Sequence, residues 1–292
     1  MIYSLPKAFL LLAFAVGFFA AASEGVAQEQ ATKSTSDMVL ASEVEWTQLN
    51  PARGDASPQA ATLWGDRSGT QATGFLVKFV DGFSSPPHIH NVTYRGVVIA
   101  GGVHNDDPAA EPMWMPAGSF WTQPAGEPHI TAARGTTIAY IEIDKGPYLV
   151  MPTDEAFDNG ERPVNVDASN MVWLGAASTT WIQSSAESAS GKEPQVAFLW
   201  GNPQSDQANG TLVKLPAGFS GNIRSDNSNL RAVVIAGQAK YRIDDKTDRK
   251  TMTPGSYFSS REKFLHQIST TGEAECILYV RSGGKFDVII NE

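Results

Sequence analysis

Residues 82–102 read GFSSPPHIHNVTYRGVVIAGG. Two of the five histidines in the chain, His88 and His90, lie one residue apart in this segment. The segment otherwise looks like a strand, and alternate residues of a strand point to the same face. Both imidazoles should therefore project to one side, where they could bind one metal ion, since neutral imidazole is a ligand for iron, zinc, copper and nickel.

A third histidine follows in a segment rich in turn residues. Residues 118–129 read GSFWTQPAGEPH, so His129 comes directly after a Pro-x-Gly turn. A strand that starts there would approach the histidine pair from across a barrel. Three protein ligands would leave coordination positions open for water or substrate, as in catalytic metal sites. The alternative is that these histidines only form hydrogen bonds in a polar barrel mouth.

The two segments together resemble the two sequence motifs of the cupin superfamily. The spacing of the first motif, G-x5-H-x-H-x3-4-E-x6-G, is met between Gly82 and Gly101. The spacing of the second, G-x5-P-x-G-x2-H-x3-N, is met between Gly118 and Ala133. Two residues depart from the motifs: Tyr94 replaces the glutamate and Ala133 the asparagine. The resemblance implies an all-β fold, the double-stranded β-helix or jelly-roll barrel.

The resemblance also implies a ligand set. His88, His90 and His129 match the metal-binding positions, and without the glutamate they resemble the three-histidine iron centres of cupin dioxygenases. A divalent metal is therefore expected, Fe²⁺ first, with zinc, manganese, nickel or copper as alternatives. Tyr94 is the candidate catalytic residue, because its phenol could donate a hydrogen bond to bound oxygen or substrate. Alternatively, its ring only fills the space left by a shorter ligand.

The chain contains the same unit twice. The stretch QAATLWGDRSGTQATGFLVKFVDGFSS from Gln59 recurs as QVAFLWGNPQSDQANGTLVKLPAGFSG from Gln195, at an offset of 136 residues. The offset persists between YRGVVIAG at 94–101 and LRAVVIAG at 230–237. Each unit spans about 115 to 125 residues, which suits a duplicated domain rather than a solenoid repeat. The LWG and VK-x3-GF elements resemble an uncharacterised, ChrR-like bicupin family.

We therefore predict two tandem cupin barrels. The first half, residues 38–150, carries the metal site, and the second half, residues 165–292, carries a degenerate one. Residues 151–164 form the predicted linker in a polar stretch rich in Asp, Asn and Pro. Upstream of the main repeat, residues 37–46 also correspond loosely to residues 170–181.

The second half has lost the metal ligands. At the same offset Arg224 and Asp226 replace the two paired histidines, and Leu230 replaces the tyrosine. Only His266 remains, matching the third histidine at an offset of 137. A charge on an inward face persists only if it is paired, so we expect a salt bridge between Arg224 and Asp226. A small-anion site made by Arg224 and His266 is the alternative.

A further histidine, His104, is predicted not to bind the metal. It falls at the position of Lys240 in the second half, where QAKYRID alternates between two faces. Ala239 and Tyr241 occupy the inward face of that strand, so Lys240, and with it His104, should face solvent.

The N-terminus predicts export. Residues 1–27 contain Lys7, an apolar run of about 14 residues and then small residues, which is typical of a secretory signal peptide. The run is shorter than the roughly 20 residues that span a bilayer. We expect cleavage after Ser23 or Ala27, a flexible segment over residues 28–37, and a secreted or periplasmic protein that is not membrane-bound in its mature form.

Composition narrows the class of protein further. The chain has 26 glycines and 17 prolines but only 18% charged residues, a profile that suits a turn-rich β protein. Its net charge is −9, and the absence of a basic stripe argues against nucleic acid as a partner. Cys276 is the single cysteine, so no intrachain disulfide is expected.

Two functions remain open at this point. In the first, the protein is a metal-dependent enzyme, a dioxygenase that acts on a small organic molecule, and the aromatic residues Trp114, Phe120 and Trp121 could line its pocket. In the second, it is a non-catalytic bicupin that binds or senses a small molecule, with a structural metal or none. The diversity of functions on one fold supports the second reading. A small molecule is the expected partner in both, and a homodimer is left open.

Overall fold

The structure is a computed structural model, which describes residues 36–183, 193–202, 204–226, 229–242, 249–271 and 274–291. The predicted signal peptide lies outside these ranges, as does most of the predicted flexible segment. None of the helical segments in the described ranges has the length and hydropathy of a membrane span.

Strands dominate the regular structure. From the N-terminus through the first half they are β1 (Ser36–Val39), β2 (Thr47–Gln48), β3 (Gln59–Trp64), β4 (Thr73–Phe79), β5 (Ile89–His90), β6 (Tyr94–Asp106), β7 (Met115–Pro116), β8 (Phe120–Gln123), β9 (Ile130–Ile143) and β10 (Val150–Met151). From the linker onward they are β11 (Val164–Val166), β12 (Ile182–Gln183), β13 (Gln195–Trp200), β14 (Asn209–Leu215), β15 (Ser220–Ser225), β16 (Leu230–Ala236), β17 (Ala239–Arg242), β18 (Arg249–Met252), β19 (Tyr257–Ser260), β20 (Phe264–Thr270), β21 (Cys276–Ser282) and β22 (Phe286–Ile290). Short 3-10 helices span Pro51–Ala56, Thr153–Glu155 and Ala168–Asn170.

The strands form antiparallel sheets. The largest sheet has the order β11-β8-β6-β9-β4-β3-β2, with β7 added beside β6, and β5 pairs with β10. The second half contributes most of two six-stranded sheets, β1-β19-β16-β21-β14-β13 and β12-β22-β15-β20-β17-β18. Apart from the parallel contact of β12 with β22, neighbouring strands run antiparallel. This confirms the predicted all-β, jelly-roll fold class.

A glycine bends the long strand that follows the histidine pair. Gly101 in β6 has a φ of +71°, and a Cβ there would lie 2.3 Å from the hydroxyl of Thr137 on β9. The matching Gly237 has a φ of +72° and separates β16 from β17, which belong to different sheets. Glycine adopts positive φ without the steric penalty of a Cβ, so the strand can pass from one face of the barrel to the other.

Each half lends a short strand to the other. β1, at the start of the first half, pairs with β19 of the second half, with Val39 opposite Tyr257. β11, at the start of the second half, pairs with β8 of the first half, with Val166 opposite Phe120. The two additions are equivalent, because they extend matched strands at matched residues. The halves are therefore joined by reciprocal strand exchange as well as by the covalent link.

The exchange corrects one sequence correspondence. Lys78 lies over the ring of Trp46 at 4.6 Å, and Lys214, at the offset of 136, lies over Trp173 at 4.1 Å. Residues 37–46 thus match residues 164–173, and the expected match to residues 170–181 was wrong. The misalignment arose because the two segments share few identical residues, so their letters alone did not set the register.

The two halves also share a core. Besides one apolar cluster within each half, a third cluster is built from both. Its buried members include Leu63, Trp64, Leu76, Phe120 and Tyr140 from the first half, and Leu212, Val233, Ile235, Tyr257 and Tyr279 from the second. Burial of large apolar side chains from both sides stabilises the contact through the hydrophobic effect.

Cationic side chains cross this contact in a matched pair. The guanidinium of Arg95 lies over the ring of Trp200 at 3.8 Å, and that of Arg231 lies over Trp64 at 4.2 Å. Arg95 and Arg231 occupy equivalent positions, as do the two tryptophans. Each half therefore places an arginine on a tryptophan of the other, an arrangement that gains cation–π attraction at both ends.

One matched position carries opposite charges. Glu142 and Arg281 stand at the same place in the two repeats, two residues after Tyr140 and Tyr279 respectively. The buried Glu142 carboxylate accepts hydrogen bonds from the guanidinium of Arg281 at 3.1 Å and from the hydroxyl of Tyr279 at 2.7 Å. Arg281 also donates to Asp144 at 2.6 Å. At this position the first half is therefore complementary in charge to the second.

Candidate metal centre

Backbone pairing brings His88 and His129 side by side. The two residues form a bridge in which each N–H donates to the carbonyl of the other at 3.0 Å. His90 lies two residues further along the same strand segment, in β5, so its ring projects to the same face. The strand after the Pro-x-Gly turn therefore delivers the third histidine to the pair, as the motif spacing predicted.

The three rings converge. The ring centroids of His88 and His129 are 4.3 Å apart, those of His88 and His90 5.0 Å, and those of His90 and His129 5.3 Å. One ring nitrogen from each residue lies within 4.8 Å of the others, and this is the group in the described part of the chain that could hold a metal through three or more side chains. The predicted ligands are therefore assembled in one place.

The other ring nitrogens point away from this centre and hold the rings in place. The Nδ1 atoms of His88, His90 and His129 lie 2.9, 2.8 and 3.1 Å from the backbone carbonyls of residues 86, 149 and 127. A carbonyl can only accept a hydrogen bond, so Nδ1 carries the proton in each ring. The three Nε2 atoms are then unprotonated, which is the usual arrangement around metal-binding histidines.

Burial keeps the cluster neutral. Desolvation, followed by repulsion from His88, lowers the pKa of His129 to about 3. Desolvation also lowers the pKa of His90 well below its usual range, and that of His88 to a smaller extent. A divalent cation displaces protons from its ligands, and here there are none to displace at pH 7. Three neutral imidazoles with convergent Nε2 atoms fit a divalent metal.

Tyr94 lies beside the cluster and is buried. Its hydroxyl is 3.3 Å from Nε2 of His129 and donates a 2.8 Å hydrogen bond to Oδ1 of Asn105. Asn105 in turn donates to Gln123 at 2.9 Å and accepts from Thr131 at 2.7 Å. Burial raises the pKa of Tyr94 to about 12, so the phenol is neutral at pH 7. Sequence reasoning missed Asn105 and Gln123: Asn105 had one signal, its match to the inward-facing Tyr241, and Gln123 had none.

Tyr148 is a further residue of the site that the sequence did not reveal. Its ring stacks on His90 with centroids 4.2 Å apart and an interplanar angle of 12°. Its hydroxyl lies 3.1 Å from Nε2 of His90. The segment reaches the site because β10 pairs with β5, placing Val150 opposite His90. No motif marks this tyrosine, since it is 58 residues from its partner.

The cluster opens into a cavity of about 660 Å³. The cavity is lined by His88, His90, Tyr94, Tyr148 and Trp121 and by a wall of apolar side chains, among them Phe75, Val77, Phe79, Phe83 and Ile141. His90 and His129 are almost fully buried, whereas His88 is partly exposed. The centre is therefore reached from the side of His88.

Two of the expected pocket aromatics lie elsewhere. Trp121 lines the cavity, but Phe120 belongs to the core shared by the two halves. Trp114 packs against His104, with ring centroids 6.0 Å apart, and beneath the guanidinium of Arg134. Successive residues of a strand face opposite sides, which is why Phe120 and Trp121 separate.

His104 is not part of the cluster, but the prediction that it faces solvent was wrong. Only 2% of its surface is exposed, whereas Lys240 at the matched position is exposed. The difference comes from the ring of Trp114, which approaches His104 from the segment after β6. A strand pattern gives the face of a residue, but not whether a loop covers that face.

The second half lacks the centre; the expected ion pair of Arg224 with Asp226 is present, but Arg224 has a closer partner in Asp287. Arg224 donates to Asp287 at 2.5 Å, and Asp287 is only 5% exposed. Asp226, the predicted partner, lies 3.7 Å from Arg224 and is half exposed. Asp287 makes the shorter contact because it lies directly opposite Arg224 on the neighbouring strand β22. Arg224 is thus paired with a carboxylate that Lys285 shares, and both ring nitrogens of His266 lie against hydroxyl groups, so this arrangement does not support the small-anion alternative.

The comparisons with known proteins agree with this architecture. The profile of the family described as Domain of unknown function (DUF4437) matches residues 37–289. The chain belongs to this family. No curated protein is detectably similar to it in sequence. The DUF4437 match spans both halves and the three histidines, so family membership covers the whole of the architecture described above.

Solved structures of cupin-type proteins share the fold. A candidate dioxygenase of Nostoc punctiforme is 14% identical, with a TM-score of 0.62, covering 86% of this chain and 83% of its own. The protein YlbA from E. coli is 12% identical, with a TM-score of 0.56 and coverages of 85% and 90%. Oxalate decarboxylase from Lactobacillus farciminis is 11% identical, with a TM-score of 0.53 and coverages of 86% and 87%. At such identities the likeness shows the fold alone.

Proposed function

We propose that the protein is a metal-dependent cupin enzyme, a dioxygenase that acts on a small organic molecule. The observation that carries the proposal is the convergence of three histidines with unprotonated Nε2 atoms beside an apolar cavity that His88 and His90 line. Concave, mostly apolar cavities with a few convergent polar groups are typical of small-molecule sites. The likeness to a candidate dioxygenase of Nostoc punctiforme supports the same class.

The proposed metal is divalent, Fe²⁺ first, with zinc, manganese, nickel or copper as alternatives. His88, His90 and His129 would hold it. When bound, the metal would supply Lewis-acid chemistry and, in the case of Fe²⁺, redox chemistry toward dioxygen and the substrate. Because no carboxylate joins the three neutral ligands, its positive charge would not be reduced by the protein.

The surrounding residues have separate tasks in this proposal. Hydrogen bonds from Nδ1 to backbone carbonyls orient the three imidazoles. The neutral phenol of Tyr94 donates its single O–H to Asn105 in this structure and would turn that O–H from Asn105 toward a bound substrate, without ligating the metal. The apolar wall around Phe75 and Phe83 excludes water from the reacting molecule, which strengthens each polar contact inside.

The alternative is a non-catalytic bicupin that binds or senses a small molecule. The observation in its favour is the hydroxyl of Tyr148, which lies within hydrogen-bond distance of Nε2 of His90 and satisfies it without any metal. An apolar cavity walled by such residues could hold a ligand and perform no chemistry on it.

Oxygen uptake separates the two functions. The protein loaded with Fe²⁺ is incubated with a panel of β-diketones, thiols and other small organic molecules, with the His88→Ala variant as control. Uptake that needs Fe²⁺ and is lost in His88→Ala supports the enzyme. Saturable binding of a panel member without oxygen uptake, equal in both proteins, supports the non-catalytic alternative.

Organisation and location complete the proposal: an exported bicupin with one metal-binding half. The signal peptide within residues 1–27 would be removed by cleavage after Ser23 or after Ala27. Intact mass and N-terminal sequence of the protein recovered from the periplasm or medium test this. Recovery only from the cytoplasm, with Met1 or residue 2 at the N-terminus, would contradict it.

A further inference from the structure

Two arginines stand at the mouth of the cavity. The mouth is marked by exposed lining residues, Leu49 at 46% and Val150 at 68% exposure. Arg53, in the first 3-10 helix, and Arg67, in the turn after β3, line the same cavity. They come from separate segments of the chain and meet at one opening.

Both guanidinium groups lie against aromatic rings of the cavity wall. The guanidinium carbon of Arg53 is 5.1 Å from the ring centroid of Phe83, and that of Arg67 is 5.7 Å from the ring centroid of Phe75. An arginine stacked on a ring keeps the outward edge of its planar fork available for hydrogen bonds. The positive charge is thus held at the boundary between the apolar wall and the solvent.

Arg67 is also fixed in orientation. Its Nε donates to the hydroxyl of Thr62 and one terminal nitrogen donates to the hydroxyl of Thr47, both at 3.1 Å. Those two bonds use two of the five N–H groups of a guanidinium and leave the rest free. Asp66, its neighbour in sequence, accepts instead from the backbone and hydroxyl of Ser68.

Asp66, the acidic neighbour of Arg67 in sequence, attracts it electrostatically but forms no salt bridge with it in the described part of the chain. Neither Arg53 nor Arg67 forms an ion pair there, whereas Arg95 pairs with Asp144, and Arg281 pairs with both Glu142 and Asp144. The chain as a whole carries a net charge of −9. Two cations without a salt bridge therefore stand at the mouth of one cavity in an acidic protein.

An aromatic wall connects this mouth to the metal centre. The ring of Phe75, beneath Arg67, contacts the ring of Tyr148 with centroids 5.6 Å apart. Tyr148 in turn stacks on His90. A molecule that reached from the arginines to the histidines would therefore lie along apolar and aromatic surface for its whole length.

We infer that the substrate is an amphipathic carboxylate, with an aromatic or aliphatic body inside the cavity and its carboxylate at Arg53 and Arg67. The inference rests on the proposed function in taking this cavity as the substrate site. A planar guanidinium matches a carboxylate in two parallel hydrogen bonds, which are stronger than neutral ones. The apolar wall favours the body of the molecule by removing its surface from water. The end opposite the carboxylate is then the part presented to the histidines.

The test compares 4-phenylbutanoate with its uncharged analogue 4-phenylbutanamide by isothermal titration calorimetry. Both the metal-free and the metal-loaded protein are titrated, because a carboxylate could also bind the metal directly. We expect the carboxylate to bind about tenfold or more tightly than the amide in both forms, as for a charge-assisted hydrogen-bonded pair. Rising salt should narrow that difference, since the arginines lie at a solvent-exposed mouth.

Variants of Arg53 and Arg67 test whether these arginines cause the preference for the carboxylate. In Arg53→Gln/Arg67→Gln the preference for the carboxylate should fall to about twofold or less, with amide binding unchanged. Arg67→Lys keeps the charge and should retain part of the preference, which guards against a folding defect in the double variant. Arg261→Gln, which alters an exposed arginine of the second half, should behave as the wild type.

Three results would overturn the inference. They are equal binding of carboxylate and amide, a preference that appears only with metal bound, and no binding of either probe. The second would place the anion on the metal and leave the proposed function standing. Conversely, a carboxylate preference in a protein that binds no metal would support the inference and refute the proposed function.

Discussion

The two halves of the molecule place different side chains in equivalent interiors. In the first half the inward-facing Asn105 is short and accepts a hydrogen bond from Tyr94, whereas the larger Tyr241 occupies the matched position of the second half. The ring of Tyr241 stacks on Phe258, with centroids 4.6 Å apart, and both are fully buried. Loss of the site thus involves a filled interior as well as missing ligands.

One histidine occurs at the same position in both halves, and its neighbours determine whether it can bind a metal. Nε2 of His129 faces two further histidines, while Nε2 of His266 lies 3.0 Å from the hydroxyl of Ser260. Nδ1 of His266 lies 2.7 Å from the hydroxyl of Tyr241. Because no second histidine in the described ranges shares its site and both its nitrogens lie against hydroxyls, His266 is a structural residue. A histidine at the motif position therefore indicates a barrel, and only its companions indicate a metal.

The largest expected loss of stability comes from breaking the buried ion pair between the halves. In Arg281→Ala, Glu142 would remain buried without its cation, and removing one partner of a buried ion pair costs about 3–5 kcal/mol. Arg162→Ala is the matched control, because its pair with Asp158 is exposed and should contribute less than about 1 kcal/mol. Denaturant melts measure both. A loss in Arg281→Ala as small as in the control would show that the charge complementarity does not hold the halves together.

The Tyr94→Phe variant tests whether a buried hydroxyl matters for turnover in the first half but not in the second. It should retain the metal and lower turnover of an identified substrate by about ten- to a thousandfold if a transition-state donor is lost. Tyr241→Phe removes an equally buried hydroxyl from the other half and should leave turnover unchanged. Steady-state kinetics and metal content of both variants decide the matter. Loss of metal in Tyr94→Phe, or a tyrosinate-to-iron charge-transfer band in the wild type, would identify the phenol as a ligand.

The ion pair of Arg224, which occupies the position of His88, gives a smaller expected loss of stability. Asp287→Ala should destabilise by about 2 kcal/mol, below the value for a fully buried pair because Arg224 is 35% exposed and can be hydrated. Asp226→Ala should cost less than about 0.5 kcal/mol, since its contact is long and exposed. Equal losses in the two variants would mean that Arg224 is shared evenly between the carboxylates.

His266 makes the second half sensitive to acid. Burial lowers its pKa to about 3 in the folded state, while the unfolded chain has the usual value near 6.5. Between these values the unfolded state binds the extra proton, so stability falls as the pH is lowered below about 6.5, by up to about 1.4 kcal/mol per pH unit from this one group. In His266→Asn the dependence between pH 6 and pH 4 should be shallower by that amount. An unchanged slope would place the proton on the folded histidine.

Features that depend on residues close together in the sequence could be predicted, whereas features that depend on contacts between distant segments could not. The histidine triad was predictable because His88 and His90 are near neighbours and the turn before His129 is explicit in the letters. The repeat was predictable because the strands recur at a nearly constant offset. These features are encoded locally, by alternation and by turn residues.

Other features depend on partners chosen in three dimensions. Tyr148 reaches His90 only through the pairing of β10 with β5, and β1 pairs with the far half of the chain. The burial of His104 depends on a loop that covers it, and the choice of Asp287 over Asp226 depends on strand register. No periodicity in the sequence specifies which distant segment supplies a contact.

The most direct test of the difference between the halves is the number of metal ions per chain. Protein purified without an affinity tag or chelator is analysed for metal by mass spectrometry, together with His88→Ala/His129→Ala and His266→Asn. The account predicts one tightly bound divalent ion per chain in the wild type and in His266→Asn, and none in the double variant. Two ions per chain, or one ion that survives loss of His88 and His129, would contradict it.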